Sequence, residues 1–345
     1  MLVVLAMAVF LWGIGHIADM PTRGRWILIA LLYLAVLAVN IALPDGHPIR
    51  EMTGGSTRDW MILGGVVGVF LAYREGLRWL RQRVRPENQS PEKISEKQGY
   101  SEIERNARHI TLREIGGPGQ ARLKASSVLV VGAGGLGSAA LQALGAAGVG
   151  RIGVIDDDIV EATNLQRQSI HTDDRIGIPK VFSAEAALKA QNPYLDVRPY
   201  NRRMTQDIAR DLVAEYDLVL DGTDDPETRY VVNAAAVATE TPLISAAISQ
   251  WEGQIGVFAP SENGPCYACV FPKAPKAGLA PSCAEAGVLG PLPAVFGALM
   301  AAEAVKWLSG AGEPLLGRLM IYDALYADSR IIKAARRPDC AVCGR

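Results

Sequence analysis

The chain lacks an excess of charge of either sign. Its 35 Lys and Arg stand against 36 Asp and Glu over 345 residues, a net −1, and the pI is near 6.5. Nucleic-acid binding usually demands a basic face, so no nucleic-acid partner is expected. No internal repeat is visible. A basic stretch ahead of the first apolar run is also missing. That run starts at residue 1 and no small-residue cleavage site comes after it, which argues against a cleavable signal peptide.

Charge is likewise absent from residues 26–43, "WILIALLYLAVLAVNIAL", 18 positions whose one polar residue is Asn40. About 20 such residues cross the hydrocarbon core as a helix. The runs at 1–15 and 60–73 are shorter, and Trp12, Trp26, Trp60 and Trp79 lie near the run ends, where interfacial indoles are favoured. About three transmembrane helices are expected over 1–85; a buried hairpin of core helices is the competing reading. Arg74, Arg78, Arg81, Arg83 and Arg85 outnumber the lone Glu75, and Arg23 and Arg25 separate the first two runs. The positive-inside rule then gives a multi-pass protein of the inner (cytoplasmic) membrane, with its C-terminal portion in the cytoplasm. A solvated arginine face is compatible with the same topology.

Residues 86–100 are polar and proline-bearing and read as a linker. Residues 101–345 read as one α/β domain. "SVLVV" (127–131), "RIGVID" (151–156), "DLVLD" (217–221) and "PLISAA" (242–247) are apolar strands of the kind found in a sheet covered on both faces. "GQIGVF" (253–258) alternates like an antiparallel strand. A helix is expected over 291–309, then terminal strands at 318–324 and 330–335. The expected fold is a Rossmann-like, doubly wound, partly mixed sheet.

Gly132, Gly134 and Gly137 complete G-x-G-x-x-G directly after the first strand, and Asp156 comes 19 residues after Gly137, where an acid can take ribose hydroxyls. This predicts a nucleotide without choosing between NAD(P), for hydride transfer, and ATP. Arg167 and Lys180 lie within 48 residues of Gly132, close enough in a βαβ unit to converge on a phosphate chain. Nucleotidyl transfer needs such cations, because charge builds on the departing pyrophosphate. Asp221, Asp224 and Asp225 sit at and just past a strand's C-terminal end, where an acid can hold Mg²⁺; one of them can instead cap the next helix.

Five cysteines are present. Cys266 and Cys269 form one C-x-x-C pair and Cys340 and Cys343 another, with 70 residues between the pairs. Two such knuckles close a tetrahedral structural Zn²⁺ site; two separate redox pairs are the alternative. Cys283, outside both pairs, is either a nucleophile or small-residue packing.

Together, "VLVVGAGGLGSAAL", "GVGRIGVIDDD", "NLQRQ", "IGIPK", "DLVLDGTDD", "EGQIGVF", "PCYACVFP", "PSCAEAGVLGP" and both knuckles resemble the ThiF/MoeB/HesA family, over about residues 101–345. The resemblance implies ATP-dependent adenylation of the C-terminal glycine of a small ubiquitin-like sulfur carrier with a Gly-Gly tail. It implies nucleotide contacts from Gly135, Asp156, the "NLQRQ" residues Asn164, Leu165, Gln166, Arg167 and Gln168, and Lys180, with Asp224 and its neighbour Asp225 at Mg²⁺ and the phosphates. Arg108, in "RNARH" (105–109), matches an arginine that reaches across a homodimer to the partner's ATP. Cys283 matches a cysteine that in some members links covalently to the carrier or to sulfur. Family members commonly read R-Y-x-R-Q at 105–109 and asparagine at Asp225; that extra carboxylate is expected to weaken ATP binding or to call for a second cation. No rhodanese-like segment comes after Cys343, so sulfur delivery is expected from another protein. Other carboxyl substrates (a tRNA base or a peptide), a membrane-tethered NAD(P) oxidoreductase and a non-catalytic carrier-docking module are the alternatives.

Overall fold

The computed structural model describes residues 2–54, 56–84, 101–273 and 286–344. The expected linker over 86–100 and Cys283 lie outside these residues. Two compact units emerge, Met1–Gln98 and Gly99–Arg345.

In the first unit, helix α1 (Leu2–Ile17), α2 (Thr22–Ala42), the short α3 (Pro48–Thr53) and α4 (Thr57–Val84) succeed one another. At about 1.5 Å per residue, α1 falls short of a bilayer core of about 30 Å, and α2 matches it. Thr22–Ala42 and Pro48–Trp79 are long and apolar enough to cross a membrane by length and composition. A small core of Val4, Val36 and Trp60 joins the helices. Beside it Asn40, almost fully buried, donates Nδ2 to the carbonyl of Val36 at 2.9 Å and to Thr53 Oγ1 at 3.1 Å. Around this core the large side chains of α2 and α4 face outward: Leu31, Leu34, Val69 and Phe70 are all exposed.

The second unit is built on an eight-stranded sheet in the order β3-β2-β1-β4-β5-β6-β7-β8. Strands β1 (Ser127–Val131), β2 (Arg151–Ile155), β3 (Asp196–Tyr200), β4 (Leu218–Asp221) and β5 (Leu243–Ile248) are parallel. Strands β6 (Glu252–Phe258), β7 (Arg318–Asp323) and β8 (Asp328–Lys333) complete the sheet antiparallel. The mixed, doubly wound sheet expected from the sequence is therefore present. It also contains β3, which apolar patterning does not reveal: "DVRPY" carries Pro199, which is tolerated because β3 is the edge strand.

Alternation along β1 sets the two layers. Val128 and Val130 face a core shared with α7 (Gly135–Ala147), α8 (Lys180–Gln191) and α12 (Leu292–Ser309), with Phe296 and Met300 buried there. Leu129 and Val131 face the opposite core, with α9 (Gln206–Val213) and α10 (Pro226–Ala238). Each such aliphatic side chain contributes about 1.5–3 kcal/mol on full burial. Helix α12 is also apolar enough in composition for a membrane span, but half of it is buried, against α7 and β5. It is a core helix. Gly297 makes this packing possible, because a Cβ there would sit 2.4 Å from the Leu136 carbonyl.

Two further helices precede the sheet, α5 (Glu102–Ile110) and α6 (Gly116–Ala125). Ser101 starts α5 with a reciprocal capping box to Glu104. The short α11 (Tyr267–Val270) begins directly after Cys266 and carries Cys269.

Candidate active site

In an open α/β sheet the ligand crevice opens where strand order reverses. Here that point lies between β1 and β4, and a cavity of about 870 Å³ opens at their C-terminal ends. Gly132 leaves β1 at φ +91°, a conformation that favours glycine, and donates its N–H to the Ile155 carbonyl at 2.9 Å. Gly134 caps α7 without a side-chain cap, so the first-turn N–H groups are left for an anion. Gly132, Gly134 and Gly135 line the cavity. Gly137 does not: it packs beneath the turn, where a Cβ would fall 1.8 Å from the Gly132 carbonyl oxygen.

The acid at the end of β2 does more than wait for a ribose. Asp156 accepts from the Ala133 N–H at 2.7 Å and the Asp158 N–H at 2.8 Å, tying the glycine turn to the next strand. Burial raises its pKa above the ordinary carboxylate value, against the pull of Lys180. Lys180 is itself buried, with Nζ 2.7 Å from Asp158 Oδ2. Arg167 is oriented by its own loop, donating to Asn164 Oδ1 at 3.0 Å and the Thr163 carbonyl at 3.1 Å. Asn164, Arg167, Gln168 and Lys180 all line the cavity. Leu165 and Gln166 do not, and Gln166 faces Gly290 instead.

The three acids after β4 separate sharply. Asp221 is fully buried, accepting from Ser245 Oγ at 2.8 Å and the Thr223 N–H at 3.1 Å, with Arg229 at 3.5 Å. Burial pushes its pKa up and Arg229 opposes the shift. Asp224 is exposed on the cavity wall, and its carboxylate meets no protein partner among the described residues. Asp225 is the N-cap of α10, accepting from the N–H groups of Glu227 and Thr228, and it pairs with Arg203 at 2.7 Å. Burial alone would raise its pKa, but the Thr228 hydroxyl and Arg203 hold it below the usual range. Arg203 is thus the cation that stands beside this carboxylate.

Arg203, Arg229, Tyr267 and Lys273 also line the cavity, and sequence reasoning does not single them out. Arg229 has a usable signal, since it lies one helical turn beyond the strand-end acids. Arg203 has none, because Pro199 disguises the strand that leads to it. Arg108 is exposed on α5 and is not among the residues lining the cavity of this chain.

The knuckles converge. Cys266 Sγ lies 3.8 Å from Cys269 and 3.6 Å from Cys340, and Cys269 lies 3.4 Å from Cys343. All four sulfurs fall within 4.8 Å of one another. A Zn–S length of about 2.3 Å gives tetrahedral S···S edges of about 3.8 Å, so the set fits a structural zinc, whereas disulfide sulfurs would be about 2.0 Å apart. The Arg337 N–H donates to Cys269 Sγ at 3.4 Å. Burial pushes the Cys266 thiol up. Burial acts the same way on Cys340, yet the Cys343 and Val342 amides bring it down to about 6.

Residues 106–342 match the ThiF family. The chain belongs to the ThiF family. It is 51% identical over 247 residues to the sulfur carrier protein adenylyltransferase of Thermus thermophilus, covering 70% of this chain and 91% of that protein. The SAMP-activating enzyme E1 of Haloferax volcanii is 45% identical, over 71% of this chain and 90% of that protein. Against bovine adenylyltransferase and sulfurtransferase MOCS3 the identity is 48%, but the chain spans only 53% of that longer protein. Among solved structures, E. coli MccB with AMPCPP and MccA matches at 26% identity and TM-score 0.62, over 70% of this chain and 74% of that one. The chain is accordingly an ATP-dependent adenylyltransferase.

Proposed function

We propose that this ThiF-family enzyme adenylates the C-terminal glycine of a small ubiquitin-like sulfur carrier at the cytoplasmic face of the inner membrane. The observation that carries this reading is the convergence of Lys180, Arg167 and the unpartnered Asp224 on the mouth of the glycine turn. The names of the relatives, sulfur carrier protein adenylyltransferase foremost, support the choice of substrate.

In the reaction, a carboxylate oxygen of the terminal glycine bonds to the α-phosphorus of ATP. The bond from that phosphorus to the bridging oxygen breaks, and pyrophosphate leaves with the electron pair. Backbone N–H groups at the start of α7 orient the phosphates. Lys180 and Arg167 neutralise charge as it develops on the departing pyrophosphate. Asp224, exposed and with no protein partner among the described residues, would hold Mg²⁺, and the ion would supply positive charge to offset that of the phosphates. Asp156 takes the ribose hydroxyls with the oxygen lone pairs left over from its two amide bonds.

The chain acts as a homodimer in which Arg108 reaches the partner's ATP. The Cys283 thiolate attacks the carbonyl carbon of the carrier's acyl-adenylate, forming a thioester as AMP leaves, or takes the outer sulfur of a persulfide donor, which leaves as a thiolate. The outward-facing apolar side chains of α2 and α4 lie in lipid, and the arginines from Arg74 onward hold the enzyme's domain on the cytoplasmic side. This arrangement should keep the chain in an alkali-washed membrane fraction, and its release there would overturn the membrane placement.

The test is ATP–pyrophosphate exchange by the detergent-solubilised chain with candidate Gly-Gly-tailed carriers. Exchange should require the carrier and drop at least about a hundredfold in Asp224→Ala. An absence of exchange with every such carrier, by protein that retains its zinc, would sink the proposal.

A further inference from the structure

The peptide joining Ala133 to Gly134 is gripped from behind by a residue that does not line the cavity. His171 is buried, 5% exposed, with Nε2 2.9 Å from the carbonyl oxygen of Ala133 and Nδ1 2.9 Å from Ser183 Oγ. A carbonyl only accepts, so Nε2 carries the proton and donates; in the neutral ring Nδ1 then accepts from the Ser183 hydroxyl. Ser183, 1% exposed on α8, is fixed in turn by Arg175, which donates to its carbonyl at 2.8 Å. The other side of Ala133 is also held, since its N–H donates to Asp156 Oδ2.

A trans peptide is planar, and its C=O and N–H point in opposite directions. Drawing the Ala133 carbonyl into the core therefore aims the Gly134 N–H outward, into the cavity that Gly134 lines. Among the described residues that N–H meets no acceptor. We propose that His171 is a positioning residue for nucleotide binding: by holding the Ala133 carbonyl, it presents the Gly134 N–H to a phosphate oxygen of ATP. It touches neither nucleotide nor carrier. The proposal rests on the ATP reading of this cavity and is specific about which part of ATP is affected.

Its test is titration calorimetry on the full, detergent-solubilised chain with ATP and, separately, adenosine. His171→Leu removes the donor at nearly constant volume. It should weaken ATP about tenfold, the worth of one hydrogen bond to a charged group, and leave adenosine unchanged. His171→Gln can present an amide N–H close to the position of Nε2 and should keep ATP affinity within about twofold of the parent. Ser183→Ala, which frees the ring but leaves it in place, should give an intermediate loss for ATP alone, and it serves as the test if the leucine variant does not fold. Equal weakening of ATP and adenosine would mean a general structural role and overturn the proposal. So would a glutamine variant as weak as leucine, or unchanged ATP binding in the alanine and leucine variants. A parent chain that binds adenosine but not ATP would remove the nucleotide reading itself.

Discussion

Arg203 Nη2 lies 2.7 Å from Asp225 Oδ2, joining the loop after β3 to the start of α10 across the cavity mouth. The pair gives the Asp225 carboxylate a counter-cation at the cavity mouth. One oxygen set serves both as a helix cap and as the counter-charge of an arginine.

Asp225→Asn should therefore keep the cap, since asparagine caps as well as aspartate, while releasing Arg203 toward the phosphates. The KM for ATP should fall a few-fold at low salt, and the difference should shrink as salt screens the exposed guanidinium. Exchange assays across a salt series measure this. A KM that rises at every salt concentration would show that the pair itself organises the site.

The four convergent thiols predict one zinc per chain by elemental analysis. Cys269→Ser or Cys343→Ser should lose the metal and lower the unfolding temperature markedly, because the free energy of metal binding is largely folding free energy. Limited proteolysis should then cut the tail between β8 and residue 343, which the site otherwise fastens to α11. Full metal content in either serine variant would contradict the four-thiolate assignment.

Gly137→Ala places a methyl group against the Gly132 carbonyl. No flexible side chain can yield there, so the turn and α7 must part. The expected loss is on the order of 3 kcal/mol or more, visible as a lower denaturation midpoint. Gly134→Ala is the control, because the nearest atom to its added Cβ is 3.8 Å away, on the Gln168 side chain.

Asp156 makes a pH prediction. Its pKa in the folded chain lies above the ordinary 3.8 because burial opposes the charged form. The folded state therefore holds that proton to higher pH than the unfolded state does. The stability this contributes is fully present below about pH 3.8 and declines as pH rises through the folded-state value. Chemical denaturation should show a steeper decline in the parent than in Asp156→Asn, where buried Asp221 still contributes a decline of the same sign. Equal slopes in both proteins would show that Asp156 is not its source.

Much of this is legible along the chain because the signals are local. A continuous apolar run leading into G-x-G-x-x-G specifies strand, turn and helix within a dozen residues. Knuckle spacing specifies thiolate pairs, and the apolar first 80 residues differ in composition from the rest of the chain. Less legible is β3, whose proline suits only an edge position, and an edge is a property of the assembled sheet.

The sequence alone determined which elements form and which residue types are available for chemistry. Only the tertiary structure decided how neighbouring residues divide that work. Asp221, Asp224 and Asp225 lie within five positions, yet one is buried against Arg229, one is free in the cavity and one caps a helix against Arg203. Their roles depend on strand direction and on groups brought from β3, β5 and α10, and burial and ion pairing are set by such distant partners. His171 is the same case: its function depends on a carbonyl 38 residues away that only the folded turn places within its reach.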